Sequence, residues 1–551
     1  MKIFLACAAL TLAAAGANAA AKQTLDNPNA TPEAVAVYDY LLSLTQSTAA
    51  EGKLIAGHWA GGSFRPGVSD YPFNMGEINE IRRQSGKWVG MLDGWICCGE
   101  FGMKMQKESP GVKPADRVLN DCMWYGQMVA DYRLWWLNGG ICHVDASFYA
   151  PHENGFRQRF EKDKVPVEVN YANILKPGTG ENRQWMALCD RMAEFFLALQ
   201  KENVPVIFRP FTEAYIPLFW YSEKRMGAEM CIKMWRYLHD YLTLTKGCNN
   251  IIWDFQGDRT FAHYPGDAYV DILTTRSEYR ANLKSEFQCV ASGSGMPVGN
   301  GELGDYGNNP KVAPERQLSW SSRIEKYKTD CPGLSFYITW DRNWGPTQAQ
   351  DKQTGAYPGY DPGYNEVMNN PYIVTRERIA CTPKAPALPY RNDFKTSELP
   401  IIFGGNWSAG GGALKRSDAV QAGMAIMGGT DWDNYTATAQ LVASGSGECG
   451  LAGRCTSGDI FYAATFADGN LTLWKCFTDK RTELGKTPFR VSKGDLVAIE
   501  LIFKGNAISA KASAGKTVAT LAAADSAIPV GCVAVYSKNS AVECRGISVK
   551  K

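Results

Sequence analysis

From residue 53 to residue 341 the chain alternates short apolar runs with longer amphipathic stretches, the pattern of a parallel α/β sheet. The runs are KLIAGHWA (53–60), WVGMLDGW (88–95), GGICHVDAS (139–147) and PVIFRPFTE (205–213). They continue as NIIWDFQG (250–257), YVDILTT (269–275), MPVGNGEL (296–303) and LSFYITWD (334–341). Helical periodicity is clearest over Asp116 to Trp136, Arg183 to Gln200, Ala228 to Leu244 and Pro314 to Tyr327. A helix over Pro32 to Leu44 opens the unit, and Asn365 to Asn370 begins the closing one. Eight such repeats predict a (β/α)8 TIM barrel. The rival, a doubly wound open sheet, lacks its Gly-rich phosphate turn after every strand.

Both ends of the chain read differently. Lys2, the apolar stretch Ile3 to Ala15 and the small-residue site Ala17-Asn18-Ala19 predict an export signal over residues 1–19. The barrel domain is then expected over 20–380. Residues 381–400, CTPKAPALPYRNDFKTSELP, turn Pro-rich and polar and read as a linker. Beyond it, alternating runs such as YTATAQLVA, LTLWKCF and LVAIELIF, separated by Gly, Asp and Asn turns, predict an all-β sandwich over 401–551. No later window reaches 18 consecutive apolar residues, so a secreted or periplasmic location without a membrane span is expected.

Composition narrows the partners. The 58 Lys and Arg against 56 Asp and Glu leave a net charge of +2 without basic runs, which argues against nucleic acid. Removing Cys7 with the signal leaves an odd number of cysteines, which cannot all pair. Cys449 and Cys455 are spaced to close a hairpin, and Cys532 and Cys544 lie on neighbouring expected strands. Without a CxxC, and with five scattered histidines, neither a metal site nor a cofactor is expected. Asp431 and Asp433 could assist a calcium site, against the commoner role of acidic turn residues.

Chemistry concentrates at the strand ends. Trp59, Asp93, Asp145, Glu213, Asp254, Glu302 and Trp340 each finish an expected strand, and the C-terminal mouth is where barrel enzymes place reacting groups. The segment Phe148 to Glu181, rich in Pro, Gly and Asn, is expected to cross that mouth. Breaking a glycosidic bond needs an acid for the leaving oxygen and a carboxylate for the developing oxocarbenium ion. Glu213, after the fourth run, and Glu302, after the seventh, could supply the two.

Together with GKLIAGHWA near the start, RPFTEAYIPLFWY around Glu213, YPGDAYVD from Tyr264 to Asp271 and GELG around Glu302, the chain resembles glycoside hydrolase family 26, mostly endo-β-mannanases. The resemblance covers most of residues 32–380. It implies a retaining hydrolase of β-linked polysaccharide, mannan first, with Glu213 as acid/base and Glu302 as nucleophile. It also implies Trp340 as platform under the sugar, Trp220 as adjacent wall, Tyr279 as partner of the nucleophile, and Arg209 bonded to that nucleophile. Asp93 and Asp145 complete the expected substrate contacts, and His143 beside Asp145 is either a further contact or a satisfied interior histidine. The chain departs from the family at Thr212, where His is usual, and at Ala146 and Ser147, where mannanases commonly carry Trp-His. Xylan, mixed-linkage glucan or an oligosaccharide therefore stay open as substrates, as does a non-catalytic glycan-binding protein. The C-terminal half resembles concanavalin-like jelly-roll domains, which implies either carbohydrate binding or a structural appendage.

Overall fold

The computed structural model describes residues 24–63, 72–96, 119–120, 123–157, 168–257, 261–276, 295–304, 319–347 and 359–551. The expected export signal, the vicinal pair Cys97-Cys98 and Tyr279 lie outside the described residues.

Each expected run meets a strand; five strands lie wholly within their runs and three extend one or two residues past the run's end. These are β1 (Leu54–Gly62), β2 (Met91–Ile96), β3 (Ile141–Ala146), β4 (Val206–Arg209), β5 (Ile251–Gln256), β6 (Ile272–Arg276), β7 (Val298–Leu303) and β8 (Leu334–Thr339). They pair in parallel in chain order, and β8 returns to β1 with Ile55 opposite Phe336 and His58 opposite Thr339, which closes the barrel. Helices cover the outside while side chains fill the inside, so both faces of each strand are buried. A short strand, Ile373–Val374, lies along the start of β1.

Local chemistry sets the helix ends. Thr31, Thr179 and Ser319 each accept a backbone N–H of the following first turn, which starts the helices Pro32–Gln46, Gly180–Gln200 and Trp320–Asp330. The helix over Ala228–Asp240 continues as a π-helical turn, Tyr241–Thr245. The helix before β3 starts at Gly126, later than its periodicity predicts. No described helix is long and apolar enough to cross a membrane.

The C-terminal part is a β-sandwich. One sheet holds the strands Trp407–Gly410, Ala413–Arg416, Val542–Lys550, Tyr435–Val442, Leu496–Lys504, Ala507–Ala514 and Thr517–Ala524. The other holds Ile401–Phe403, Ala422–Met427, Cys532–Lys538, Glu448–Cys455, Ile460–Ala467, Asn470–Phe477 and Lys480–Pro488. Strict alternation buries Tyr435, Ala437, Ala439 and Leu441 and leaves Gln440 outside, so the inner faces form the core.

The stretch 381–400 joins barrel and sandwich and is bonded to both. Tyr390–Asn392 pairs with Val542–Lys550, the Thr382 hydroxyl donates to the Gly139 carbonyl, and the Trp432 indole donates to the Pro386 carbonyl. Two sequence expectations need correction here. Asp431 is committed to the barrel. Its carboxylate accepts the Trp88 indole N–H at 2.6 Å and lies 3.3 Å from the Arg376 guanidinium. Finally, Cys449 and Cys455 lie on one strand, where no hairpin separates them. The Cys532 thiol faces the Cys455 carbonyl at 3.1 Å, and none of the described cysteines is disulfide-bonded.

The sandwich docks at the N-terminal ends of the barrel strands, away from the mouth. Arg376 is held between the rings of Trp88 and Trp135, 4.5 and 4.7 Å from their centroids, and donates to the Thr430 hydroxyl at 2.8 Å. Ala130 and Leu134 of the helix Gly126–Leu137 pack with Ile401, Met424 and Ile426 of the second sheet. Replacing Arg376 with Ala should lower stability by roughly 2 kcal/mol, since it removes two ring contacts and orphans polar groups across the seam. Calorimetry should then resolve barrel and sandwich as separate transitions, with a single transition expected for the wild type.

Candidate active site

The site is built around Arg209, the last residue of β4. Its fully buried guanidinium donates to both oxygens of Asp145 on β3, each at 2.6 Å, and to the Gly301 carbonyl on β7 at 3.0 Å. Fork geometry makes this pair strong, and breaking it by removing one partner would cost roughly 3–5 kcal/mol. Burial pushes the Asp145 carboxyl up, the Arg209 guanidinium pulls it down and Asp93 pushes it up, with a net rise. Arg209 itself stays protonated, its two carboxylate neighbours outweighing burial.

Arg209 does not hydrogen-bond Glu302. The closest approach, 3.6 Å, is an ion pair beyond hydrogen-bond range. The partner that the sequence reading missed is Gln256, the last residue of β5. Its amide nitrogen donates to Glu302 Oε1 at 2.7 Å, and its amide oxygen accepts the backbone N–H of Glu213 at 2.7 Å. One side chain thus ties the two glutamates to a common point. Gln256 was visible in NIIWDFQG, but Asp254 drew attention as the acidic strand-ender.

How Glu302 reaches the mouth follows from a bulge. A Cβ on Gly299 would strike the Phe336 ring and one on Gly301 would lie 1.4 Å from Arg209 Nη1, so both positions face the barrel interior. Strict alternation would turn Glu302 outward. Instead the register shifts against both neighbours, with Asn300 opposite Thr275 but Glu302 opposite Arg276, and Asn300 opposite Tyr337 but Leu303 opposite Thr339. The extra residue re-aims the carboxylate.

Glu213 is placed by strain. Phe211 and Glu213 both adopt left-handed backbone, φ 56° and 61°, at a cost of about 1–3 kcal/mol each. The Thr212 N–H donates to the Ala146 carbonyl, the Thr212 carbonyl accepts the Tyr221 hydroxyl, and Phe211 packs on Phe148, Trp185, Tyr221 and Trp235. The half-buried Glu213 side chain follows this turn.

Beneath lies a charged cluster. His143 donates from Nδ1 to Asp93 at 2.8 Å and from Nε2 to Asp254 at 3.2 Å, and the Thr274 hydroxyl donates to Asp254. Burial alone would lower the imidazole, but Asp93, Asp254 and Asp145 raise it to about 9, so it is an imidazolium at neutral pH. Asp93, His143 and Asp145 converge within 4.8 Å, yet both Asp145 oxygens are occupied by Arg209 and His143 carries charge, so the donor set does not suit a cation.

The opposite side of the mouth is aromatic. Trp59, Trp95 and Trp340, from the ends of β1, β2 and β8, contact one another with centroids 5.9–6.2 Å apart. The floor cavity between the two sides, about 10 Å³, is lined by these three rings with Asp93, Asp145, Thr212 and Glu302. Of the expected contacts, Asp93, Asp145 and Trp340 thus meet there, and Trp95 joins them unannounced. Trp220 does not. It is fully buried, its indole donating to the Phe148 carbonyl, and packs against Tyr171.

Residues 26–291 match the profile of glycosyl hydrolase family 26. A mannan endo-1,4-β-mannosidase A and B of Caldalkalibacillus mannanilyticus is 24% identical over 417 residues, covering 72% of each chain. A mannan endo-1,4-β-mannosidase of Bacillus subtilis is 23% identical over 353 residues, 62% of this chain and 89% of that one. The chain is a glycoside hydrolase, family 26-like in its barrel. A solved Bacillus subtilis mannanase superposes on 64% of the hydrolase and 95% of itself, with a TM-score of 0.50 at 20% identity, which shows the shared barrel fold.

Two outcomes follow for this hydrolase. Gly301→Ala should displace Arg209, destabilise the barrel by roughly 2–4 kcal/mol and remove activity, as measured by denaturant unfolding and reducing-sugar release. The stabilisation carried by the His143 imidazolium is fully present below its ordinary value near 6.5 and is lost as pH rises through about 9. The midpoint of thermal unfolding should therefore fall between pH 7 and 10 more steeply for the wild type than for His143→Gln.

Proposed function

We propose that the hydrolase is secreted and cleaves β-1,4-mannan by double displacement, with Glu302 as nucleophile and Glu213 as acid/base. The observation that carries this reading is the Gln256 amide, which bonds the Glu302 carboxylate through one end and the Glu213 backbone through the other. Two carboxylic residues from distant strands thereby share one side of a mouth whose other side is a tryptophan wall. Mannan as the substrate is supported by the relatives that are mannan endo-1,4-β-mannosidases.

In the first step Glu302 attacks the anomeric carbon while the bond to the leaving oxygen breaks and Glu213 donates its proton to that oxygen. In the second, Glu213 takes a proton from water, whose oxygen displaces Glu302 and frees the sugar with its original anomeric configuration. Gln256 fixes one carboxylate oxygen, and Arg209, at ion-pair distance, stabilises the anion without a competing hydrogen bond. Trp340 and its two neighbours offer ring faces on which a sugar can stack.

A second substrate reading rests on Thr212, which lines the floor cavity where mannanases of this family commonly carry the longer His. A subsite with that extra room would suit another β-glycan, xylan or mixed-linkage glucan.

Reducing-sugar release should therefore be measured on mannan, xylan and mixed-linkage glucan. Glu302→Ala should lose at least about three orders of magnitude in kcat while staying folded, and azide should restore turnover as an inverted glycosyl azide. Full activity in that variant would remove Glu302 from the reaction. Gln256→Leu should lower kcat roughly 10²-fold with little change in KM.

A further inference from the structure

The two outer faces of the sandwich are built differently. The outer face of the sheet that holds Ile401–Phe403 is apolar, with Met424, Ile426, Ala452, Phe461 and Tyr536 in one buried cluster with the barrel helix Gly126–Leu137. The outer face of the other sheet is polar and open, and it carries a groove of about 430 Å³. That size lies within the range of small-ligand sites, roughly 300–1,000 Å³.

The pairing register explains the groove. Arg391, Ser548, Thr438, Glu500 and Lys511 stand directly opposite one another on five successive strands, a row that advances by about 4.8 Å per strand. Alongside it, Gln440, Ala498 and Ser513 form a parallel row. Short side chains along these rows, Ser548, Thr438, Ala498 and Ser513, make the floor. Long ones at the margins, Arg391 and Arg545 with Asp393 on one side and Glu500 with Lys511 on the other, make the walls.

We propose that this groove binds a neutral glycan chain, laid across the strands. Its lining interleaves donors with acceptors, and hydroxyls and an amide that serve as both, which is what a polyhydroxylated ligand requires at every unit. Three cations face two carboxylates, so the charge is nearly balanced and a polyanion gains little. Apolar side chains contribute only Ala498, Ala439 and Ile499 and 547, the last three from the buried side, so an apolar peptide finds no anchor. The groove would hold substrate near the barrel and raise its effective concentration at the mouth. This site is separate from the two glutamates and stands or falls without them.

The test uses the full chain carrying Glu302→Ala, with retention measured by affinity electrophoresis in mannan, glucomannan, xylan, mixed-linkage glucan and polygalacturonate. Retardation by at least one neutral polysaccharide is expected, with affinity falling at least tenfold when Thr438→Trp fills the floor. In the otherwise wild-type chain, Thr438→Trp should leave kcat/KM on short soluble oligosaccharides unchanged. If that variant does not fold, Arg391→Ala with Lys511→Ala should weaken binding several-fold, since both side chains are exposed and their loss leaves the sheet intact. Unchanged affinity in the folded groove variants, retention by polygalacturonate alone, or no retention by any polysaccharide would overturn the proposal. Absence of hydrolysis in the wild type alongside groove-dependent retention would instead count against the catalytic reading alone.

Discussion

The Arg209–Asp145 pair is the constraint on which the rest of the mouth depends. A guanidinium with no access to water must be neutralised, and Asp145 on β3 with the Gly301 carbonyl on β7 hold its Nε and Nη2. Once Arg209 fills the interior at that level, position 301 admits nothing larger than hydrogen. The bend in β7 and the direction of Glu302 follow from that exclusion. Above this layer the mouth divides by chemistry, rings from β8, β1 and β2 on one side and carboxylates with their supports from β3, β4, β5 and β7 on the other.

Much of the architecture was readable in the residues. All eight expected runs coincide with strands to within two residues, because parallel strands buried on both faces are written as continuous apolar segments with little competing signal. The helix before β3 was less legible, since its apolar residues continue upstream of Gly126 without a capping side chain to mark the start. The Pro-rich stretch 381–400 showed its composition but not its partners. Its composition describes a segment without helix or long strand, but its carbonyls and hydroxyls are spent on the barrel and the sandwich rather than on water.

At the site, residue types were easier to read than partners. Glu213 and Glu302 stood out as acids after apolar runs, and Arg209 as a buried cation needing a counter-charge. Which carboxylate it would choose depended on register. Asp145 sits directly opposite Arg209 in the β3–β4 pairing, while Glu302 is re-aimed by an irregularity that no periodicity records. Gln256 was hidden for a similar reason, since a neutral amide becomes informative only when two glutamates are found at its two ends. His143 proved to be an interior histidine, fully bonded and charged.

The extra residue in β7 makes the chain unusually sensitive to length inside a strand. In a loop, losing one residue shortens a connection. Here, the same residues paired without the bulge would turn the carboxylate from the open end of the barrel toward its surrounding helices. A frame of this kind converts a count of residues into a choice of compartment for a side chain.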